Sequence, residues 1–354
     1  MSAGPGPASG AGPANGAGPA NGAGPASGAG PVNGAGSASS AVVGRAGPVG
    51  AGGGTLAPRV VVVSRRSELD ELVARHGTRA AADWYLRERG RTLAEVVERH
   101  DALQAALTAV GAAVPADWRR GAVDRSDLPR FLFGPEDVVV AVGQDGLVAN
   151  VAKYLAGQPV IGVDPEPGRN AGVLVRHRAA ALAALLPAVV AGAAPTRART
   201  MVRAALDDGQ ELVGLNEVYV GHASHQSARY LLSVGEPGRI RRERHSSSGV
   251  VVGSGTGATG WCASIARDRP GAPRPPAPEE AALCWFVREA WPSPVTGVAL
   301  TTGRLDGDER LELVAESDGL VVFADGLEAD RLTLDWGQRL TVSVASRRLN
   351  LVEP

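Results

Sequence analysis

Two changes of pattern along the chain predict an α/β domain built on a parallel sheet, followed by a β-rich antiparallel domain. The first is a succession of continuous valine-rich runs separated by helical sequence, at Val60 to Val63, Val138 to Val142 and Val160 to Val163. Strands buried on both faces read in this way. The second is a switch, from about Arg199 onward, to short alternating stretches bounded by turn residues, which suits antiparallel strands with one face in a core.

Before either domain comes a stretch with almost nothing to bury. The 354-residue chain holds 47 Gly and 25 Pro, concentrated toward its start, where a six-residue unit repeats five times from Pro7 to Gly36. Such a sequence has too little apolar surface to offset an ordering cost of roughly 1–2 kcal/mol per residue, so residues 1–57 are expected to be a disordered tail. Gly does not recur every third residue, which excludes a collagen helix. No basic segment precedes a leucine-rich core, so a secretory signal is not expected.

The α/β domain is placed at residues 58–190. Its first strand, at Val60 to Val63, leads into helical sequence that runs to about Val110. The last of these helices is signed by Thr92 with Glu95 three residues on, by a stripe of Leu93, Val96, Val97, Leu103, Leu107 and Val110, and by Gly111 as its stop. A second strand, a helix from about Leu147 to Leu155 and a third strand complete a Rossmann-like parallel arrangement.

The chain is expected to change domain near residues 187–198. Strands are then predicted at Leu212 to Val220, Tyr230 to Val234, Val250 to Val252, Val298 to Thr302, Leu311 to Ala315, Leu320 to Phe323 and Leu340 to Val344. Two helices interrupt them, one after Gly257 and one from Glu279 to Ala290, with Pro270 to Pro278 between. The β-rich domain is thus residues 191–340, and residues 341–354 form a C-terminal strand segment.

Charge and cysteine content exclude several classes of function. With 36 basic and 37 acidic side chains the formal charge is −1, so bulk charge offers no route to nucleic acid. Cys262 and Cys284 form no C-x-x-C pair, and the six His lie at no zinc spacing. A disulfide framework and a zinc module are therefore not expected, and a reducing cytoplasm fits. The one long uncharged run, Ala179 to Thr196, is mostly alanine and is broken by Pro187, so no membrane span is expected. Lys153 is the only lysine of the chain and follows the second strand on its helix.

In a parallel sheet, ligands bind outside the carboxyl ends of the strands. Three segments occupy that position, Ser64-Arg65-Arg66, Gly143-Gln144-Asp145-Gly146 and Asp164 to Asn170, and they should face one crevice. Glycines at a helix N-terminus let backbone N–H groups approach a phosphate, and a carboxylate among them suits proton abstraction or Mg²⁺ binding. Equally, Asp145 is placed to cap the helix while the glycines make a tight turn.

A second candidate is Ser246 to Trp261, with G-x-G-x-x-G at Gly255, Gly257 and Gly260 after an apolar run. The proline-rich stretch that follows leaves no room for a βαβ unit, so a dinucleotide fingerprint of the Rossmann kind is rejected. Hydroxyls at Ser254, Thr256 and Thr259 with Trp261 suit a nucleotide held by hydrogen bonds and stacking; the same residues suit a strand-to-helix turn with Trp261 in the core.

These segments together resemble the NAD kinase family, and within it the branch that includes the mitochondrial NAD kinase of animals. Gly143-Gln144-Asp145-Gly146 resembles the family's G-G-D-G, and Pro159 to Asp164, leading to Gly172, resembles its P-V-x-G-x-N segment. Leu215-Asn216-Glu217-Val218 resembles the L-N-E-V strand, Ser247 to Trp261 the S/D-G-L-x-x-x-T-x-T-G-S-x-A-W/Y stretch, and Asp325-Gly326 a late D-G turn. The similarity covers about Val60 to Glu353.

The resemblance implies a NAD kinase/diacylglycerol kinase-like fold, with ATP, Mg²⁺ or another divalent cation, and NAD meeting in a cleft between the domains. It implies that Asp145 is the base for the adenosine ribose 2′-hydroxyl. Gly143, Gln144 and Gly146 would line phosphates, Asn216 and Glu217 would bind the adenosine end of NAD, and Thr256, Thr259, Gly260 and Trp261 would shape the dinucleotide pocket. Arg65, Arg66 and Arg169 are candidates for phosphate neutralisation. A homodimer or higher oligomer is expected, with NAD and ATP as the only other partners.

Two departures stand out. Gln144 replaces the second glycine of the phosphate turn, and Ser248 stands where many members carry Asp, as in the mitochondrial branch. The alternatives are a non-catalytic dinucleotide-binding sensor, and a lipid or sugar kinase with a related loop.

Overall fold

The computed structural model describes residues 57–169, 172–235 and 238–354. The disorder expected for residues 1–57 falls almost wholly outside these, as does Asn170. β1 (Arg59–Ser64) is followed by α1 (Glu68–His76), α2 (Arg79–Arg87) and α3 (Leu93–Ala113), then β2 (Arg119–Asp124), β3 (Asp137–Val142), α4 (Asp145–Ala152), β4 (Pro159–Val163) and α5 (Leu182–Val190). The remainder is β5 (Thr196–Arg199), β6 (Val202–Leu206), β7 (Glu211–Gly214), β8 (Glu217–His222), β9 (Ala228–Val234), β10 (Arg241–Ser247), β11 (Gly249–Gly253), α6 (Trp261–Arg267), β12 (Ala282–Arg288), β13 (Thr302–Asp306), β14 (Leu311–Ala315), β15 (Leu320–Ala324), β16 (Leu332–Leu334), β17 (Arg339–Val344) and β18 (Leu349–Val352).

Three six-stranded sheets result. In the first, ordered β2-β1-β3-β4-β18-β5, the strands from β2 through β18 run parallel and β5 is antiparallel to β18. The valine runs are buried on both faces, as parallel strands require. One face packs Val60, Val138, Val140 and Ile161 against Ala106 and Val110 of α3 and Leu182 and Leu186 of α5. The other packs Val61, Val139 and Val160 against Leu147, Val148 and Val151 of α4, and this core continues into Val213 and Leu215 of the β-rich part. Apolar packing therefore joins α4 to the segment between β7 and β8.

The second and third sheets, ordered β10-β9-β14-β17-β6-β7 and β13-β12-β11-β8-β15-β16, are antiparallel and enclose one core that includes Trp285, Tyr230, Leu232 and Leu313. This is the α/β-then-β architecture that the two hydrophobic patterns predict. The chain's last strand does not stay with its neighbours. β17 belongs to the second sheet, whereas β18 returns to the first and lies between β4 and β5.

Several local expectations are corrected. Glu279 to Ala290 is not helical: β12 is a strand of the third sheet, with Leu283, Trp285 and Val287 toward the inner core and Cys284 and Phe286 toward α6. A run buried on both sides has no period by which to tell strand from helix. Val298 to Thr302 is mostly loop, and the strand there begins at Thr302. Gly111 does not end α3, which continues to Ala113. The polar edge strands β2 and β10 carry too little apolar alternation to be legible. Leu212 to Val220 is two strands, broken at Leu215-Asn216.

Candidate functional site

The loops that leave β1, β3 and β4 open on one edge of the first sheet, since their strands run parallel and in register. Gly143 donates its N–H to the Val163 carbonyl at 3.0 Å, which ties the start of the middle loop to the end of β4. A Cβ on Gly143 would come within 3.1 Å of Leu147 Cδ2, so the turn favours glycine there. Gln144 has an ordinary extended backbone (φ −98°, ψ 166°), so replacing a glycine at this position strains nothing. Its side chain is exposed and caps no N–H. Gly146 borders open space.

Asp145 does not cap the helix. Gln144 occupies the N-cap position, and Asp145 is the first residue of α4. Its carboxylate instead accepts three backbone N–H groups from the segment after β4: Val173 on Oδ2 at 2.9 Å, and Leu174 and Val175 on Oδ1 at 2.8 and 3.0 Å. Gly162 makes this possible, because a Cβ there would lie 2.1 Å from the Leu174 carbonyl oxygen. His177 fixes the fold-back: its N–H donates to the Gly162 carbonyl, and its carbonyl accepts the Asp164 N–H. Arg169 is exposed and pairs with Glu166 at 3.3 Å.

The other end of α4 meets the β-rich part. Buried Asn150 donates its amide to the Asp325 carbonyl at 3.2 Å, and Lys153 places its ammonium 2.5 Å from Asp330. The Tyr154 hydroxyl donates to the same Asp330 carboxylate at 2.9 Å, and burial together with that neighbour pushes the phenol's pKa up.

Asp325 sits in the D-G turn after β15 with φ 52°, a left-handed conformation that Asp tolerates better than most residues. Its carboxylate turns inward onto the backbone N–H groups of Leu215 (2.8 Å), Asn216 (2.7 Å) and Glu217 (3.3 Å). Burial raises the Asp325 pKa to about 6, against the pull of those three donors and of Lys153. Burial and the charge of Asp325 in turn push Glu217 up to about 7.

The Gly-rich loop closes on this same segment. Buried Ser254 donates its hydroxyl to the Leu215 carbonyl at 2.5 Å and its N–H to the Asn216 carbonyl at 2.8 Å. A Cβ on Gly257 would stand 2.1 Å from the Asn216 carbonyl oxygen, and one on Gly255 2.2 Å from that of Ala277. These two glycines therefore permit close backbone packing. Gly260 has room around it and joins a short 3-10 turn to α6.

Among the hydroxyls, Thr259 donates to the Thr256 carbonyl at 3.2 Å, whereas buried Thr256 Oγ1 has no partner among the described residues. Trp261 is half-buried and stacks on Tyr219, with centroids 5.5 Å apart, and the Arg288 guanidinium lies 5.3 Å from its centroid. Tyr219 in turn meets Phe323 at 5.0 Å. Beside these rings is a cavity of 280 Å³ on the outer face of the third sheet.

One connected structure thus runs from the Val173–Val175 backbone through Asp145 and α4 to Asn150 and Asp325, and on to Leu215–Glu217 and Ser254–Gly257. Sequence reasoning missed Asn150 and the Lys153–Asp330 pair. The lone lysine was the only available signal for the latter.

At the level of sequence, no protein-family model and no curated protein matches the chain. Solved structures do match in shape. An NAD kinase from Archaeoglobus fulgidus in complex with ATP aligns with a TM-score of 0.50 and 16% identity, over 83% of this chain and 93% of that one. Yeast NADH kinase complexed with NADH aligns with a TM-score of 0.52 and 13% identity, over 85% of this chain and 84% of that one. The α/β domain and antiparallel sheets described above are accordingly the fold of the NAD kinases.

Proposed function

We propose that this chain is an ATP-dependent NAD kinase that phosphorylates the adenosine ribose 2′-hydroxyl of NAD to give NADP, within the branch that includes the mitochondrial enzyme of animals. The observation that carries the reading is the path from Asp145 to Asn216–Glu217 through a single helix, anchored at one end by three N–H groups and at the other by Asn150 on Asp325. A path of this kind holds a candidate base and a candidate nucleoside-binding segment at a fixed separation, which is what phosphoryl transfer needs from a protein. The ligands of the two structural neighbours, ATP in one and NADH in the other, agree with it.

In this reaction the ribose 2′-oxygen forms a bond to the γ-phosphorus as the bond from that phosphorus to the β,γ-bridging oxygen breaks, and ADP departs. The 2′-hydroxyl proton passes to Asp145. Oδ2 is the acceptor, because Val173 is its only partner whereas Oδ1 already has two. Glu217, with its pKa near 7, and Asn216 hold the adenosine end, and Trp261 with Tyr219 borders the dinucleotide.

Among the described residues no cluster of three or more His, Cys, Asp or Glu is placed to hold a metal ion. Mg²⁺ would therefore enter on the phosphates of ATP, and the residues present build no cage for it. No described helix is long and apolar enough to cross a membrane.

One observation favours a second reading, a dinucleotide-binding sensor without catalysis: the Asp145 carboxylate is already engaged by three backbone donors. Incubating the purified chain with NAD, ATP and Mg²⁺ and measuring NADP separates the two. Dinucleotide binding without NADP formation would establish the sensor.

A further inference from the structure

β4 changes partner halfway along its length. Its first half pairs with β18, Asn350 opposite Pro159 and Leu351 opposite Val160. Its second half pairs on that same edge with the fold-back that follows it, since β3 takes the other edge. There Val163 lies opposite His177, the His177 N–H donates to the Gly162 carbonyl at 3.0 Å, and the Asp164 N–H donates to the His177 carbonyl at 2.9 Å. The fold-back thus continues along β4 from where β18 leaves it, and the two segments meet.

Side chains fasten that junction. Buried His177 donates from Nε2 to the Val352 carbonyl at 3.0 Å; a carbonyl only accepts, so Nε2 carries the proton. Its neighbour Arg176 places its guanidinium 2.5 Å from the Glu353 carboxylate. The same carboxylate meets Arg199 and Arg197 of β5 at 3.4 and 3.9 Å, and the Glu353 N–H donates to the Pro195 carbonyl at 2.9 Å. Glu353 is therefore held from the β5 side as well as by the fold-back. The Glu353 and Arg199 side chains are only 12% and 7% exposed, so water screens this pair much less than it does a surface ion pair.

Arg176 and His177 follow directly on Val173–Val175, whose N–H groups aim the Asp145 carboxylate. We infer that Val352 and Glu353 set the direction of that carboxylate through the fold-back, with Arg176, His177 and Glu353 as positioning residues of the site. This rests on the kinase reading above and adds to it the part of the fold that aims the base. Phosphoryl transfer depends on position, and a displacement of about 1 Å at a reacting group can cost about a hundredfold in rate.

The test uses the full-length protein with Arg176→Gln, Glu353→Gln, His177→Phe and His177→Gln. Arg87→Ala, which removes a surface ion pair of α2 with Asp83, is the control. Arg176→Gln cuts the tie to the fold-back while leaving Glu353 with Arg199, and His177→Gln keeps a side-chain N–H donor that His177→Phe lacks. Amide hydrogen exchange at Val173, Leu174 and Val175 is followed without substrate, and turnover and Michaelis constants are measured for NADP formation well below each melting temperature.

In Arg176→Gln, Glu353→Gln and His177→Phe, exchange at the three amides should quicken by roughly tenfold or more, with β1 and β3 unchanged. Turnover should fall by roughly ten- to a hundred-fold, with the Michaelis constants for NAD and ATP within about twofold. His177→Gln should recover most of both, and Arg87→Ala should match the unaltered protein.

Exchange at the three amides that is unchanged in all three variants overturns the inference, whether or not NADP is made. Faster exchange spread evenly over β1 and β3 overturns it too, as does faster exchange confined to the fold-back with full turnover. Local quickening in a protein that makes no NADP supports the coupling of Glu353 to Asp145 and removes the kinase reading instead.

Discussion

Asp325 Oδ1 accepts the backbone N–H of Asn216 at 2.7 Å across 109 positions of sequence, and the same carboxylate holds Leu215 and Glu217. The turn between β7 and β8 is thus shaped by a residue from another part of the sheet. Asp325→Asn keeps one acceptor oxygen but turns an amide NH₂ toward at least one of the three donors. The expected result is a stability loss of about 1–3 kcal/mol and weaker NAD binding, checked by thermal denaturation and dinucleotide titration. An unchanged affinity would separate the turn from the dinucleotide site.

Glu217 supplies a pH signature. Its pKa is raised from 4.5 to about 7, first by burial and then by the charge of Asp325. A raised acid binds its proton more tightly in the folded state, so its ionisation disfavours folding increasingly as pH rises through about 7. Glu217→Gln cannot ionise. Its melting temperature should therefore gain on that of the unaltered protein as pH rises through that value, and the difference should flatten below about pH 5. His245, whose pKa is lowered by burial, shifts stability in the opposite direction as pH rises, which is why the two proteins must be compared at each pH. Parallel melting curves across the range would contradict the raised value.

A row across the third sheet pairs Glu217 with Gly253 and Gly253 with Cys284. The Cys262 thiol of α6 fills the space above Gly253, with Sγ 2.5 Å from where a Cβ would stand. Gly253→Ala should cost roughly 1–3 kcal/mol by overpacking, and Cys262→Ala in the same chain should return a good part of it. Strict additivity of the two changes would show that the thiol is not what excludes the methyl group.

Much of this architecture is legible in the sequence, for identifiable reasons. Val60 to Val63, Val138 to Val142 and Val160 to Val163 are unbroken because both faces of those strands are covered, and that signal needs no tertiary knowledge. The same property hid β12, where an apolar run buried on two sides was read as helix. The GQDG turn was visible as glycines before a helix, but what Asp145 binds was not, since Val173–Val175 reach it only through a fold-back that depends on Gly162. By pattern alone Gly255 and Gly257 suit a nucleotide loop and a strand-to-helix turn equally. Their crowding against Ala277 and Asn216 belongs to packing that no local pattern encodes.

Asp145→Asn is the decisive substitution, and the geometry changes what it tests. Had Asp145 been a helix cap, an amide would have served nearly as well. Its carboxylate instead receives N–H donors on both oxygens, so an asparagine whose Oδ1 keeps Leu174 and Val175 must turn its NH₂ toward the Val173 N–H. A stability cost on the order of 1 kcal/mol is therefore expected whatever the residue's role. Catalysis is read separately, from turnover at saturating NAD and ATP well below the melting temperature. A lost general base should lower it by roughly 10²–10⁴-fold. If turnover falls only in proportion to the folded fraction, Asp145 is a clip that holds the Val173–Val175 segment on α4 and is not the base. If turnover collapses while NAD binding and most of the stability survive, Oδ2 is the atom that takes the proton.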